Sequence, residues 1–366
     1  MRILYITTIG STMCFFTSLI KELLDRGHSI DIATNEENAT IPVCYREWNL
    51  KVYQMDFNRS PLNKGNIKAY KQLKKLVSDN HYDIVHCHTP VAGAIARMVC
   101  RKFRKDGLKV IYTAHGFHFY NGAPLKNWLI YYPIEKFCSR FTDVLITINS
   151  EDFERAEKKM KAKCVDYIPG VGIDVDKFAD AVVDRAAKRR ELGIPEDAFL
   201  LFSVGELNKN KNHQIVIRAL AELKNPDIHY MIAGQGPLYD FLLDLAKNLH
   251  VSDQIHLLGY RNDTAELYKT ADVDVFPSIR EGLGLAAVEG MAAGLPLICS
   301  DNRGTREYAR VGENAIVCNK LIEYVQAIDY LQAAENSESL GENARVVANR
   351  FDKNNVNKIM MKIYGW

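Results

Sequence analysis

Long apolar runs are scarce in this chain of 366 residues, and beyond the first twenty positions none is long enough to span a bilayer. Paired cysteines are scarce as well. The eight cysteines, at 14, 44, 87, 100, 138, 164, 299 and 318, form no C-x-x-C pair and no Cys/His cluster. That excludes a zinc ribbon, argues against a disulfide framework and suits a reducing cytosol. A large net charge is missing too, at +2 overall, and no aromatic–basic recognition motif accompanies the lysines, so a nucleic-acid partner is not expected. The uncharged opening Ile3 to Ile20 is broken by Gly10 and several Ser/Thr residues. It reads as strand, loop and helix rather than a signal or anchor, so any membrane association would be peripheral.

What is present is ordinary for a globular protein: 47% hydrophobic and 25% charged residues, in a length suited to two domains. The charge is divided unevenly. Residues 1–170 hold 25 Lys/Arg against 17 Asp/Glu, whereas 171–366 hold 22 against 28. The first half therefore suits an anionic surface or ligand.

Short β-rich runs alternate with helical patterns throughout. In the first half the runs are Ile3–Thr7, Ser29–Thr34, Ile84–His88, Val110–Ala114, Val144–Ile148 and Val165–Ile168. Helical periodicity covers Cys14–Arg26, Ile67–Ser78, Ala92–Arg104 and Asp152–Lys161. The rhythm restarts with Phe199–Val204, His229–Ala233, Ile255–Leu258, Val273–Phe276, Pro296–Cys299 and Ala315–Val317. Strand–helix alternation predicts parallel sheets covered on both faces, hence an α/β protein of two doubly wound, Rossmann-like domains facing across a cleft. The expected division is 1–168 and 169–349, with a terminal helix at 350–366 packing back on the first domain.

The most informative stretch is 277–296, PSIREGLGLAAVEGMAAGLP. A strand ends at Phe276, a glycine-bearing turn follows and a helix opens near Gly284. Free N–H groups at a helix start, with the dipole behind them, favour an anion. Gly282 and Gly284 let the backbone come close to a phosphate. Glu281 and Glu289 lie up to roughly 12 Å apart along the chain. That suits gripping hydroxyls of two sugars flanking a diphosphate better than a shared acid/base task.

These residues resemble a known pattern. The 281–296 segment, with its two glutamates and the E-x-M-A-x-G-x-P continuation, is similar to the retaining GT-B glycosyltransferases of the family 4 group. Tyr112–Tyr120 (YTAHGFHFY), Asp83–Pro90 (DIVHCHTP) and Gly205–His213 (GELNKNKNH) resemble its bacterial capsular and exopolysaccharide members. The resemblance spans nearly the whole chain. It implies transfer of a sugar from a nucleotide-diphosphate sugar, by choice UDP-linked, to a glycan or polyprenyl-linked acceptor, with no cofactor. Residue by residue it implies catalytic roles for His115, Glu281 and Lys211. It places Glu289 on the ribose, the amides of Leu283, Gly284 and Leu285 on sugar and diphosphate, and Gly205, Gly234, Tyr260 and Arg261 around the nucleotide. Gly10, Ser11 and His88 fall on the acceptor side, while His86 and His118 read as structural.

Two departures from the pattern matter. Relatives carry Arg where this chain has Glu206, and a carboxylate cannot clamp a diphosphate; Arg303 is the expected substitute. Gly10-Ser11-Thr12 replaces a pair of glycines. The Asp174/Asp176 and Asp272/Asp274 triplets read as structural, so Lys and helix amides are expected to act in place of a metal. Lys64–Tyr82 and Lys126–Phe141 mix apolar and basic residues and could rest on an anionic inner membrane. An epimerase or phosphorylase of the same fold, or a non-catalytic sugar-nucleotide binder, are the competing functions.

Overall fold

A computed structural model describes residues 1–37 and 39–365. The chain forms two compact units, Met1–Gly172 with Val356–Trp366, and Ile173–Asn355.

Unit one is built on seven parallel strands: β1 (Arg2–Ile6), β2 (Ser29–Thr34), β3 (Lys51–Gln54), β4 (Ile84–His88), β5 (Lys109–Ala114), β6 (Val144–Thr147) and β7 (Cys164–Tyr167). Their spatial order is β3-β2-β1-β4-β5-β6-β7. Central β1 and β4 are almost wholly buried; β1 accordingly reads as an apolar run, while β4 buries two histidines, His86 and His88, among its apolar residues. Strand β3 was not expected. Its Lys51 and Gln54 ends are exposed, as befits a sheet edge, and they hide it in a basic stretch. The expected helix 14–26 divides into a 3-10 segment, Gly10–Phe16, and an α-helix, Thr17–Asp25. The helix Ser150–Lys159 starts at Asn149, whose side chain accepts from the Asp152 amide at 2.8 Å.

The terminal helix runs Lys353–Tyr364 after a 3-10 turn at Asn349–Phe351; Trp366, the end of the expected segment, lies outside the described residues. Met360, Met361 and Tyr364 are buried. The Tyr364 hydroxyl meets His86 Nδ1 at 2.7 Å, and Lys109 Nζ donates to the Ile363 carbonyl at 2.6 Å.

Unit two holds β8 (Phe199–Val204), β9 (Ile228–Ala233), β10 (Ile255–Gly259), β11 (Val273–Phe276), β12 (Leu297–Ser300) and β13 (Ala315–Cys318). All are parallel, in the order β10-β9-β8-β11-β12-β13. Leu201, Ile232, Val275 and Ile298 of the sheet pack with Ile217, Leu220 and Ile328 of the covering helices. Each such side chain is worth about 1.5–3 kcal/mol on burial.

Two helices of unit one are joined by a buried ion pair. Arg97 of the helix Pro90–Cys100 and Glu135 of the helix Leu125–Cys138 meet at 2.8 Å, and Tyr112 donates to the same carboxylate. Removing the carboxylate strands a buried guanidinium. Glu135→Ala should therefore destabilise unit one by about 3–5 kcal/mol, read as a lowered first transition in chemical unfolding.

Candidate functional site

In an open parallel sheet the loops at the carboxyl ends diverge where the strand order reverses, leaving a crevice. In unit two that point lies between β8 and β11, and in unit one between β1 and β4. Half of the residues singled out from sequence sit on three of these four loops: Gly10 and Ser11 after β1, Gly205 and Lys211 after β8, and Glu281, Gly282, Leu283 and Gly284 after β11.

After β8, the chain turns through Gly205 to His213; after β11 it runs through Ser278 to Gly284. Asn210 stitches the two loops together, its carbonyl accepting from the Ile279 amide at 2.8 Å and its side-chain amide donating to the Arg280 carbonyl at 2.9 Å. This brings Lys211 Nζ to 2.9 Å from Glu281 Oε1, with the ammonium 4.8 Å from the centre of the Phe276 ring. The Arg303 loop, following β12, closes on the same turn: Arg303 Nε donates to the Glu281 carbonyl at 3.2 Å. Lys211, Glu281 and Arg303 are therefore one cluster. Glu206 stands apart from it, exposed and accepting from Asn208 Nδ2.

Gly284 begins the helix Leu285–Ala292 in a left-handed conformation, φ 91°, and no side chain caps the helix start. A Cβ there would lie 2.7 Å from the Phe276 ring, so both backbone conformation and packing demand glycine. Gly282 lies partly exposed in the preceding turn, and Leu283 is buried. Gly234 has an internal explanation, since a Cβ there would sit 1.9 Å from the Gly205 carbonyl oxygen where the ends of β8 and β9 pass in contact; a Cβ on Gly205 would instead meet the Lys211 side chain at 3.1 Å.

Glu289 lies farther along the helix. Its carboxylate has no hydrogen-bond partner among the described residues, and burial pushes it up to about 7, moderated by the positive charge of Lys177. The next residue, Gly290, packs on the buried Asp274, whose carboxyl burial also pushes up. Asp272 instead pairs with Arg185 and Arg189 and accepts from the Leu200 amide, so the two aspartates of this triplet serve separate surroundings. Asp174 caps the helix Val175–Ala179 and pairs with Lys353. Tyr260 is 73% exposed, and Arg261 is committed to Asp263 and Glu191 rather than to the Lys211 cluster.

In unit one, His115 follows β5 and is partly exposed. Its Nε2 lies 3.1 Å from Nδ1 of His88, which is 1% exposed and stacked on Phe16 at 4.1 Å. Burial lowers His115 to about 4 and His88 well below the usual range, so both rings are neutral at physiological pH. His88 was expected on the acceptor side; it is instead buried, with His115 as its neighbour. Nε2 of His88 has no partner. A bare buried lone pair is tolerated better than an orphaned N–H, which puts the His88 proton on Nδ1, donated to His115, and leaves the His115 proton on Nδ1. Gly10 is buried and Ser11 exposed on the loop after β1.

Sequence reading missed the groups that support the site. Asn210 and the Phe276 ring are local and were within reach. Lys177, which faces Glu289, is distant in sequence and gives no signal.

Two Rossmann-like parallel-sheet domains, with a basic cluster and an uncapped helix start at a switch point, define the GT-B class of sugar-nucleotide enzymes. Residues 2–149 match the family model "Glycosyl transferase 4-like" and residues 184–347 "Glycosyl transferases group 1". Bacillus subtilis EpsD, named as a glycosyltransferase, is 38% identical over 371 residues, covering 99% of this chain and 96% of its own. An Escherichia coli UDP-Gal:α-D-GlcNAc-diphosphoundecaprenol α-1,3-galactosyltransferase is 32% identical over 246 residues, or 65% of this chain and 62% of that protein. Among solved structures, Anabaena HepE in complex with UDP and glucose aligns with a TM-score of 0.82 at 18% identity, covering 100% and 99% of the two chains, a likeness of fold. The chain belongs to the group 1, family 4-like glycosyltransferases.

The Glu289 carboxyl should titrate near pH 7 in carbon-13 NMR of the labelled protein. Lys177→Met removes a stabilising positive charge and should move that titration upward; a value near 4.5 in either protein contradicts the burial seen here.

Proposed function

We propose that this protein transfers a hexose from a UDP-sugar to a lipid-diphosphate-linked saccharide, with retention at the anomeric carbon, in the synthesis of a bacterial exopolysaccharide. The observation that carries the reading is the joining of Lys211, Glu281 and Arg303 at the start of the Leu285–Ala292 helix. The donor's diphosphate takes its compensating charge from Lys211, Arg303 and the helix amides, so Arg303 does the work that Glu206 cannot. Diphosphate entry replaces the carboxylate as the partner of Lys211 and frees Glu281 for hydroxyls of the transferred sugar. Glu289, ionised above about pH 7, accepts from the ribose hydroxyls. His115, neutral, donates a hydrogen bond to the reacting sugar. The acceptor hydroxyl attacks from the face that the diphosphate leaves, and the departing phosphate oxygen takes its proton. UDP and the lipid diphosphate are supported by the name of the Escherichia coli relative.

Release of UDP from a UDP-sugar should require an acceptor, and the product's anomeric proton coupling should match that of the donor. Arg303→Ala should weaken UDP-sugar affinity about tenfold or more, by calorimetry, whereas Glu206→Ala should change it little. Unchanged affinity and turnover in Arg303→Ala removes Arg303 from the site.

The reading extends to a membrane surface, where the two basic stretches part company. The helix Gly65–Asp79 turns Ala69, Leu73, Leu76 and Val77 into the core, while Lys68 and Lys75 are paired with Asp56 and Asp79. The helix Leu125–Cys138 does the reverse: Leu125 and Leu129 are 72% and 68% exposed, beside exposed Ile130, Ile134 and Phe137 and flanked by Lys126 and Arg140. Among the described residues no helix is long and apolar enough to cross a membrane. A shallow contact of the Leu125–Cys138 face with anionic lipid fits. The double variant Leu129→Glu, Ile130→Glu should lose co-sedimentation with phosphatidylglycerol vesicles, and Lys71→Glu, Lys74→Glu should reduce it less; undiminished binding of the first variant refutes the contact.

A further inference from the structure

At the β1/β4 switch point of unit one lies a cavity of about 260 Å³ that the site above does not use. Thr8 and Thr12 line it from the loop after β1, and Thr89 from the loop after β4. Arg59 stands on its wall, as does His118, whose ring stacks on Tyr131 at 4.4 Å. No carboxylate lines the cavity. The Arg59 guanidinium and the Thr12 hydroxyl have no partner among the described residues, so both are available to a ligand. The helix Pro90–Cys100 opens onto the same space with no side-chain cap. Pro90 brings no N–H, which leaves the amides of Val91 and Ala92 and the positive end of the dipole. A cationic fork, a free hydroxyl and bare amides, with no negative charge to oppose them, select a phosphate.

A second cavity, of about 160 Å³, shares Pro90, Val91 and Tyr131 with the first. Its other walls include Ala94, Ile95 and Ile134. The one carboxylate there, Glu135, is already held by Arg97 and Tyr112. Ile134 belongs to the exposed apolar face of the helix Leu125–Cys138. A cationic pocket thus opens into an apolar slot, and the slot borders an apolar helix face. An amphiphile with a phosphorylated head and a hydrocarbon tail matches that sequence of surfaces; a free sugar or a soluble phosphate matches only part of it.

We propose that the first cavity holds the diphosphate of the lipid-linked acceptor and the second the initial carbons of its prenyl chain, so that the acceptor is gripped by its linkage and its tail, not by its sugar alone. This rests on the acceptor class proposed above and assigns residues to it.

The test uses the full chain and three probes: farnesyl diphosphate, farnesol and inorganic diphosphate, each titrated by calorimetry without donor. Farnesyl diphosphate should bind more tightly than either fragment. Arg59→Ala should weaken it about tenfold or more while leaving farnesol unchanged. Ala94→Trp, which fills the slot from a partly exposed position, should weaken farnesyl diphosphate and farnesol but not inorganic diphosphate. Ile95→Asp serves as a second slot variant if Ala94→Trp lowers the melting temperature. Equal binding of farnesyl diphosphate to wild type and Arg59→Ala overturns the phosphate assignment. Inorganic diphosphate binding as tightly as farnesyl diphosphate, or slot variants without effect, overturns the prenyl assignment. No sugar transfer is involved in these titrations. Failure here leaves the transferase reading intact, and failure of acceptor-dependent UDP release would be seen separately.

Discussion

Parallel strands cannot be joined by tight turns. Every connection has to cross a face of the sheet, and where two series of crossovers run outward from a shared central strand, two neighbouring loops are sent in opposite directions. In unit two those loops follow β8 and β11; in unit one they follow β1 and β4. The loops there are held by contacts of their own, as between Asn210 and the 279–280 backbone or between Thr8 and Thr89, and their side chains are left to line a crevice. The Lys211–Glu281–Arg303 cluster and the Arg59 cavity both lie at these points, one in each unit.

The charge surplus of the first half gains a different meaning in three dimensions. Several of its lysines are neutralised locally: Lys68 by Asp56, Lys75 by Asp79 and Lys163 by Asp143. What distinguishes Arg59 is that it faces a cavity with no carboxylate of its own. Net charge counted along a sequence cannot separate a cation that is paired from one that is available, because pairing is set by the fold. The same distinction separates the two basic helices, whose compositions are alike and whose apolar faces point opposite ways.

Much of the framework was legible because a buried parallel strand is dominated by apolar residues, as in Phe199–Val204, and its few polar side chains pair internally, as His86 does with Tyr364 and Thr113. Strand β3 escaped because an edge strand needs neither continuity nor burial. The turn at 281–284 could be read from its glycines, and Gly284 is held to its identity by a left-handed φ and by the Phe276 ring. Gly234 could be read as a turn glycine, whereas the contact between the ends of β8 and β9 that also requires it could not. Arg303 was expected from loop position to face a diphosphate, and its contact with the Glu281 carbonyl was not foreseen; the interaction of Lys177 with Glu289 likewise had no local trace. Relations between nearby residues leave a pattern in the sequence, and relations between elements that meet only after folding do not.

The two units also divide the electrostatic labour in a consistent way. Unit two's cluster sets an ammonium, Lys211, and a guanidinium, Arg303, against Glu281. The histidines behind β4 and β5 lose their charge, because burial among Tyr5, Phe16 and one another makes a second proton too costly. A neutral His115 cannot act as a cation. What it can do is present one fixed N–H, and the His88 contact decides which nitrogen carries it.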